Sequence, residues 1–117
     1  MYLNSYLTHN NQQYSIYWTS QWAQHVLENY PDPGHAVDHT TISRILKRAR
    51  YIVAKSGRGL RKPYVHVCLT IYQGVVYETY VHLVPELDGW PARCVVITCF
   101  KSNHPEYRAL FTPELPA

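Results

Sequence analysis

Two neighbouring runs of alternating residues most constrain what this chain can fold into. In Tyr64-Val65-His66-Val67-Cys68-Leu69-Thr70-Ile71 every second residue is aliphatic, so Val65, Val67, Leu69 and Ile71 leave an extended strand on one side. In Val75-Val76-Tyr77-Glu78-Thr79-Tyr80-Val81-His82-Leu83 the matching set is Val75, Tyr77, Thr79, Val81 and Leu83. A three-residue loop, Tyr72-Gln73-Gly74 with Gly74 left-handed, pairs Ile71 with Val75 and keeps both apolar sets on one side. A two-residue loop would mix the faces. The three-residue loop is therefore expected, and it leaves His66 opposite Tyr80, Cys68 opposite Glu78 and Tyr64 opposite His82. Such a polar face is either solvent surface or a shallow active site.

A third strand is expected over Arg93-Cys94-Val95-Val96-Ile97-Thr98-Cys99-Phe100, apolar on both faces and hence central in a sheet. With Val95, Ile97 and Cys99 turned toward helices, Thr98 and Phe100 fall on the polar face. Tyr14 to Trp18 can form a short edge strand, while residues 1–13 are expected to be loop or poorly ordered, Asn10-Asn11-Gln12-Gln13 being a polar run.

Two helices are expected before the main sheet. Trp22, Ala23, Val26, Leu27 and Tyr30 recur at helical spacing from about Gln21 to Tyr30, behind a Thr19 or Ser20 cap. Pro31-Asp32-Pro33-Gly34 ends that helix. A second is expected from about Ile42 to Ala54, with Ile42, Ile45, Leu46, Ala49, Ile52 and Val53 as its buried stripe. A short last helix runs from Pro105 to Phe111, capped by Asn103 or His104 with Pro at its first position, and residues 112–117 form a tail. The fold class expected is α+β: two main N-terminal helices on one face of an antiparallel sheet of three to four strands, plus a short C-terminal helix. At 117 residues this is a single domain, residues 1–117, long enough to bury roughly 65% of its unfolded surface.

Charge is distributed unevenly. Of eleven Lys and Arg residues, Arg44, Lys47, Arg48, Arg50, Lys55, Arg58, Arg61 and Lys62 fall between positions 44 and 62, and no Asp or Glu lies between Asp38 and Glu78. Such a block attracts polyanions, of which nucleic acid is the commonest, or is a solvated helix face followed by a basic loop. The loop Lys55 to Pro63 lacks the order of a nucleotide-binding P-loop. Cys68, Cys94 and Cys99 show no paired spacing and sit in apolar strand sequence, which points to buried reduced thiols. No apolar run approaches ~18 residues and the N-terminus has no secretory pattern, so the expectation is a cytoplasmic protein, of the producing or a target cell, with no membrane partner.

Ahead of the basic helix stands Gly34-His35-Ala36-Val37-Asp38-His39-Thr40-Thr41. Two imidazoles four apart share one face of a helical turn and can act as an acid/base pair, as metal ligands, or as polar surface. Neither H-E-x-x-H nor an acidic partner at ligand spacing is present, which ranks metal below proton transfer; no cofactor and no metal are expected.

The order of helices before an antiparallel sheet, H-A-x-x-H before a basic helix and V-V-I-T-C-F on the last strand resemble a superfamily of small RNases. It groups barnase, EndoU, the tRNA-cutting colicins and RelE-type toxins. The matching residues are His35, Ala36, His39 and Thr98, over roughly residues 34–101. Many relatives carry arginine where His39 stands, so His39 is either catalytic or a substitute for a phosphate-binding cation. The resemblance implies a metal-independent endoribonuclease-like toxin or phage effector that cleaves tRNA or another structured RNA by 2′-hydroxyl attack. His35, His39 and Thr98 are then the catalytic candidates, with His66 and His82 in reserve. Arg44, Lys47, Arg48, Arg58, Arg61, Lys62, Lys101, Tyr64 and Tyr80 are the candidates for holding RNA, aromatic rings stacking on unpaired bases. A protein inhibitor or antitoxin is a possible further partner. The competing class is a non-catalytic, phage-type inhibitor that uses its basic face to block a nucleic-acid site or to dock on an acidic protein.

Overall fold

The computed structural model describes residues 2–17, 39–54 and 65–115. They form β1 (Tyr2–His9), β2 (Gln12–Tyr17), α1 (His39–Lys47), β3 (Tyr51–Ala54), β4 (Val65–Tyr72), β5 (Val75–Val84), β6 (Arg93–Lys101) and α2 (Pro105–Ala109). A 3-10 turn, Thr112–Glu114, follows. The strands make one six-stranded sheet in the order β1-β2-β6-β5-β4-β3. Neighbours are antiparallel apart from β2 and β6, which run parallel.

This corrects the expected fold class. The sheet is mixed and six-stranded rather than antiparallel with three to four strands, and α1 is the only helix longer than five residues among those described. The expected helix from Gln21 to Tyr30 lies outside the described residues. Residues 2–9, expected as loop, are an edge strand. Asn10 and Asn11 both adopt left-handed φ, +50° and +63°, the pair of angles a tight two-residue hairpin needs and asparagine tolerates. The basic helix also ends earlier than expected. Tyr51-Ile52-Val53 joins an aromatic to two β-branched residues, which favour a pleated strand. The Arg50 N–H donates to the Leu69 carbonyl, and the next four residues pair with β4 instead of continuing the helix.

The β4–β5 register is the second correction. Tyr72 pairs with Val75, and Gln73 and Gly74 alone form the turn, with φ of +51° and +77°. The two-residue loop places Val67 opposite Tyr80, Leu69 opposite Glu78 and Val65 opposite His82. The faces are mixed because both are covered, so apolar residues are needed on each. On one face Cys68, Val81, Leu83, Cys94, Val96 and Cys99 pack with Ile42, Ile45 and Leu46 of α1. On the other, Val67, Leu69 and Val76 pack with Phe111 from the C-terminal segment. An irregularity between Tyr80 and Val81 pairs them with Thr98 and Val96, so Ile97 is the extra residue. That resets the phase of β6: Cys94, Val96 and Cys99 face α1, where Val95, Ile97 and Cys99 were expected.

The sheet curls around α1. In a flat sheet four strand spacings would hold β1 and β4 about 19 Å apart, yet the His9 and His66 rings approach to 5.6 Å. Ile42, Ile45 and Leu46 are fully buried in that curl while Arg44, Lys47 and Arg48 are exposed. Each of the three apolar side chains contributes about 1.5–3 kcal/mol by leaving water. The Thr70 hydroxyl donates to the Ile45 carbonyl at 3.0 Å, fastening helix to sheet. The three cysteines are buried free thiols within this layer; burial pushes those of Cys68 and Cys99 up to about 12. No described helix is long and apolar enough to cross a membrane.

Candidate active site

The tight β4–β5 turn sends Glu78 to the outer face of the sheet, the one α1 does not cover. There the C-terminal segment closes over it and its side chain is fully buried. A buried carboxylate is costly unless both oxygens are bonded, and both are. Oε1 accepts the Tyr80 hydroxyl at 2.9 Å and Oε2 lies 2.6 Å from His104 Nδ1.

His104 reaches Glu78 because of how α2 begins. It occupies the position before Pro105 in extended backbone geometry, and its side chain makes no cap bond. Its carbonyl accepts the N–H groups of Tyr107 and Arg108, which fixes the first turn and turns the ring toward the sheet. The Tyr107 ring lies 5.2 Å away at 58°. On the sheet side Tyr80 stacks on Phe100, with centroids 5.6 Å apart and planes 19° from parallel. Burial, then the bond to Glu78, pushes the Tyr80 phenol up, so it remains a neutral donor at physiological pH.

With Glu78 ionised the carboxylate can only accept, so Nδ1 of His104 donates to Oε2, and Nε2 of the neutral imidazole is then the free acceptor. The His104 side chain is 47% exposed while that of Glu78 is 0% exposed. The arrangement is thus a half-exposed imidazole with one nitrogen fixed by a hidden carboxylate. That orientation suits general base or general acid work. Thr98 lies beside Tyr80 in the ladder, its Oγ1 buried and without a hydrogen-bond partner among the described residues.

The structure brings Thr98, Tyr80 and His82 onto this outer face and separates them from His66. With the two-residue turn, His66 falls on the α1 side beside His9, so it does not share a face with Tyr80. Arg44, Lys47 and Arg48 are also on the α1 side; Arg48 sits over the Tyr72 ring at 5.6 Å. Lys101 ends β6, exposed, and lines a cavity of about 340 Å³ with Arg108. His35, Arg58, Arg61, Lys62 and Tyr64 lie outside the described residues. His39 opens α1, but its side chain is outside them as well. Among the described residues no group of three or more His, Cys, Asp or Glu side chains is placed to hold a metal ion.

Glu78 and His104 were not singled out from the sequence, although one signal was present. Glu78 is the sole acidic residue between Asp38 and Glu86, set in the middle of an apolar strand. A carboxylate so placed needs a buried partner. Comparison with known proteins finds no match of the chain to a family model, a curated protein or a solved structure.

Proposed function

We propose that this protein binds RNA and cleaves it without a metal ion, by attack of a ribose 2′-hydroxyl on the adjacent phosphodiester. The observation that carries the proposal is the His104–Glu78 pair. Nε2 of His104 takes the 2′-hydroxyl proton, Glu78 stabilises the imidazolium that results, and the 2′-oxygen bonds to phosphorus. The bond from phosphorus to the 5′-oxygen breaks as a second acid protonates the leaving oxygen, giving a 2′,3′-cyclic phosphate. His35 and His39 are the sequence candidates for that second acid, and Phe100 and Tyr107 offer rings beside the dyad for stacking bases.

The small-RNase resemblance of the H-A-x-x-H and V-V-I-T-C-F stretches supports the same chemistry, with the proton-transfer role moved to His104. One observation favours the non-catalytic rival: Arg44, Lys47 and Arg48 lie across the sheet from the dyad, so the basic helix face can hold RNA without presenting it to His104.

Incubating total tRNA with the full chain in EDTA, beside Glu78→Gln, His35→Ala and His39→Ala, separates the two. Cleavage by the wild type that falls about 10²-fold or more in Glu78→Gln is expected. Intact RNA with salt-sensitive binding would establish the binding module instead, and neither cleavage nor binding would sink both.

A further inference from the structure

Next to the dyad, where the β4–β5 turn meets α2, lies the cavity of about 340 Å³. Its wall includes Gly74, Val76, Lys101, Ser102, Arg108 and Leu115. Two features set its chemistry. Lys101 and Arg108 are both exposed, and neither has an ion-pair partner among the described residues. Among the described residues no carboxylate lines it: the nearby Glu78 is buried and held by Tyr80 and His104, and Glu114 is held by Arg50. Lys101, on the α1 side of β6 by its pairing with Tyr77, and Arg108, from the covering segment, both line this cavity at the end of the sheet. Two cations with a serine and no acid among the described lining residues suit an anion with several acceptor oxygens.

The cavity is tied to His104 by covalent and hydrogen-bonded geometry. The Arg108 N–H donates to the His104 carbonyl at 3.1 Å, which ties the two through the first turn of α2. Ser102 is almost fully buried; its N–H donates to the Val76 carbonyl at 2.8 Å and its Oγ accepts the His104 N–H at 3.3 Å. Val76 is two residues from Glu78 on one strand face, about 7 Å along the strand. Arg108 and Leu115 also line a second cavity with Asn103, Pro105 and Thr112. The two hollows therefore share Arg108 and Leu115 as a common wall.

We infer that the Lys101–Arg108 cavity is a binding site for a phosphate ester, and that the phosphate is one in an RNA chain whose next ribose lies toward His104. Only the source of the phosphate rests on the proposed function; the binding itself is read without cleavage.

The test is amide NMR of the labelled full chain titrated with inorganic phosphate, against chloride at equal ionic strength, and then with a short single-stranded oligoribonucleotide. Phosphate-specific shifts at Gly74, Ser102 and Arg108 are expected, with affinity about tenfold weaker in Lys101→Gln and in Arg108→Gln and better retained in Arg108→Lys. The oligoribonucleotide should bind through the same amides at least about tenfold more tightly than phosphate alone, because a chain makes more than one such contact. Identical responses to phosphate and chloride, or unchanged affinity in the Lys101→Gln/Arg108→Gln double variant, would overturn the site. Phosphate binding as tightly as the oligoribonucleotide would overturn the RNA chain as its source. Loss of cleavage with these shifts intact would strike the proposed function and leave the site standing.

Discussion

The two ends of β5 begin from the same local device and finish as opposite surfaces. At one end Gln73 and Gly74 take left-handed φ of +51° and +77°; at the other Asp88 and Gly89 take +52° and +81°. At the first, the C-terminal segment folds back over the strand ends, Phe111 is fully buried against Val67 and Leu69, and Arg48, Lys101 and Arg108 gather around the turn. At the second, Leu87 and Trp90 close a small bridged loop with two backbone bonds, yet each is 64% exposed. Glu86 and Asp88 are its charges. Turn chemistry dictates which residues pair across a hairpin, but what covers the hairpin comes from sequence far away.

The largest expected effect probes that coverage. Phe111→Ala should cost about 3–5 kcal/mol of stability, whereas Trp90→Ala should stay within about 0.5 kcal/mol. Urea unfolding of the two variants measures the contrast, and equal costs would erase it.

A second contrast concerns Glu78. Glu78→Gln keeps the shape but replaces an acceptor with an amide that cannot satisfy both Tyr80 and His104 in the same way. It should cost about 1–3 kcal/mol by thermal or urea unfolding. Asp88→Asn at the exposed end should change stability by less than about 0.5 kcal/mol.

Gly89→Ala tests the exposed turn alone. A Cβ there meets nothing within 4 Å, so the cost is the left-handed backbone of an alanine, about 1 kcal/mol. A cost several-fold larger would mean that the loop is packed more tightly than its exposure shows.

The smallest effect is a pH dependence. His66 pairs with Val81, at the Leu87–Trp90 end of the sheet, and His9 lies against it. Burial, then the charge of His66, holds the His9 imidazole below its ordinary value of 6.5. The unfolded chain therefore binds more protons in that window, and stability falls as pH drops below 6.5, levelling once folded His9 also protonates. His9→Gln should flatten the part of that slope due to His9, as read from unfolding between pH 5 and 8.

The main strands and the start of the basic helix were legible in the sequence, while the fold class, the β4–β5 register and the site contact were not. Strands β4 and β5 followed from alternation, β6 from a run apolar on both faces, and the start of α1 from the stripe Ile42, Ile45 and Leu46. The two-residue turn was missed because alternation identifies faces only when one is solvated, and here Phe111 and Leu115 cover the second. The strand Tyr51–Ala54 was read as helix because Ile52 and Val53 continue the helical stripe, although their branching favours a sheet edge. Among the site candidates, Thr98 and Tyr80 were placed correctly on one face, while His66 moved to the other with the turn. The His104–Glu78 contact joins residues twenty-six apart, and no local pattern encodes it.

The most direct test of the dyad is the pH–rate profile of tRNA cleavage in EDTA, measured for the wild type and His104→Gln at equal folded concentration. The wild type should yield fragments ending in 2′,3′-cyclic phosphate, with a rate that depends on pH through proton transfer to His104. His104→Gln should be slower by about 10²-fold or more, with that dependence on pH lost. Equal rates and the same profile in both proteins, or no cleavage by the wild type, would contradict it.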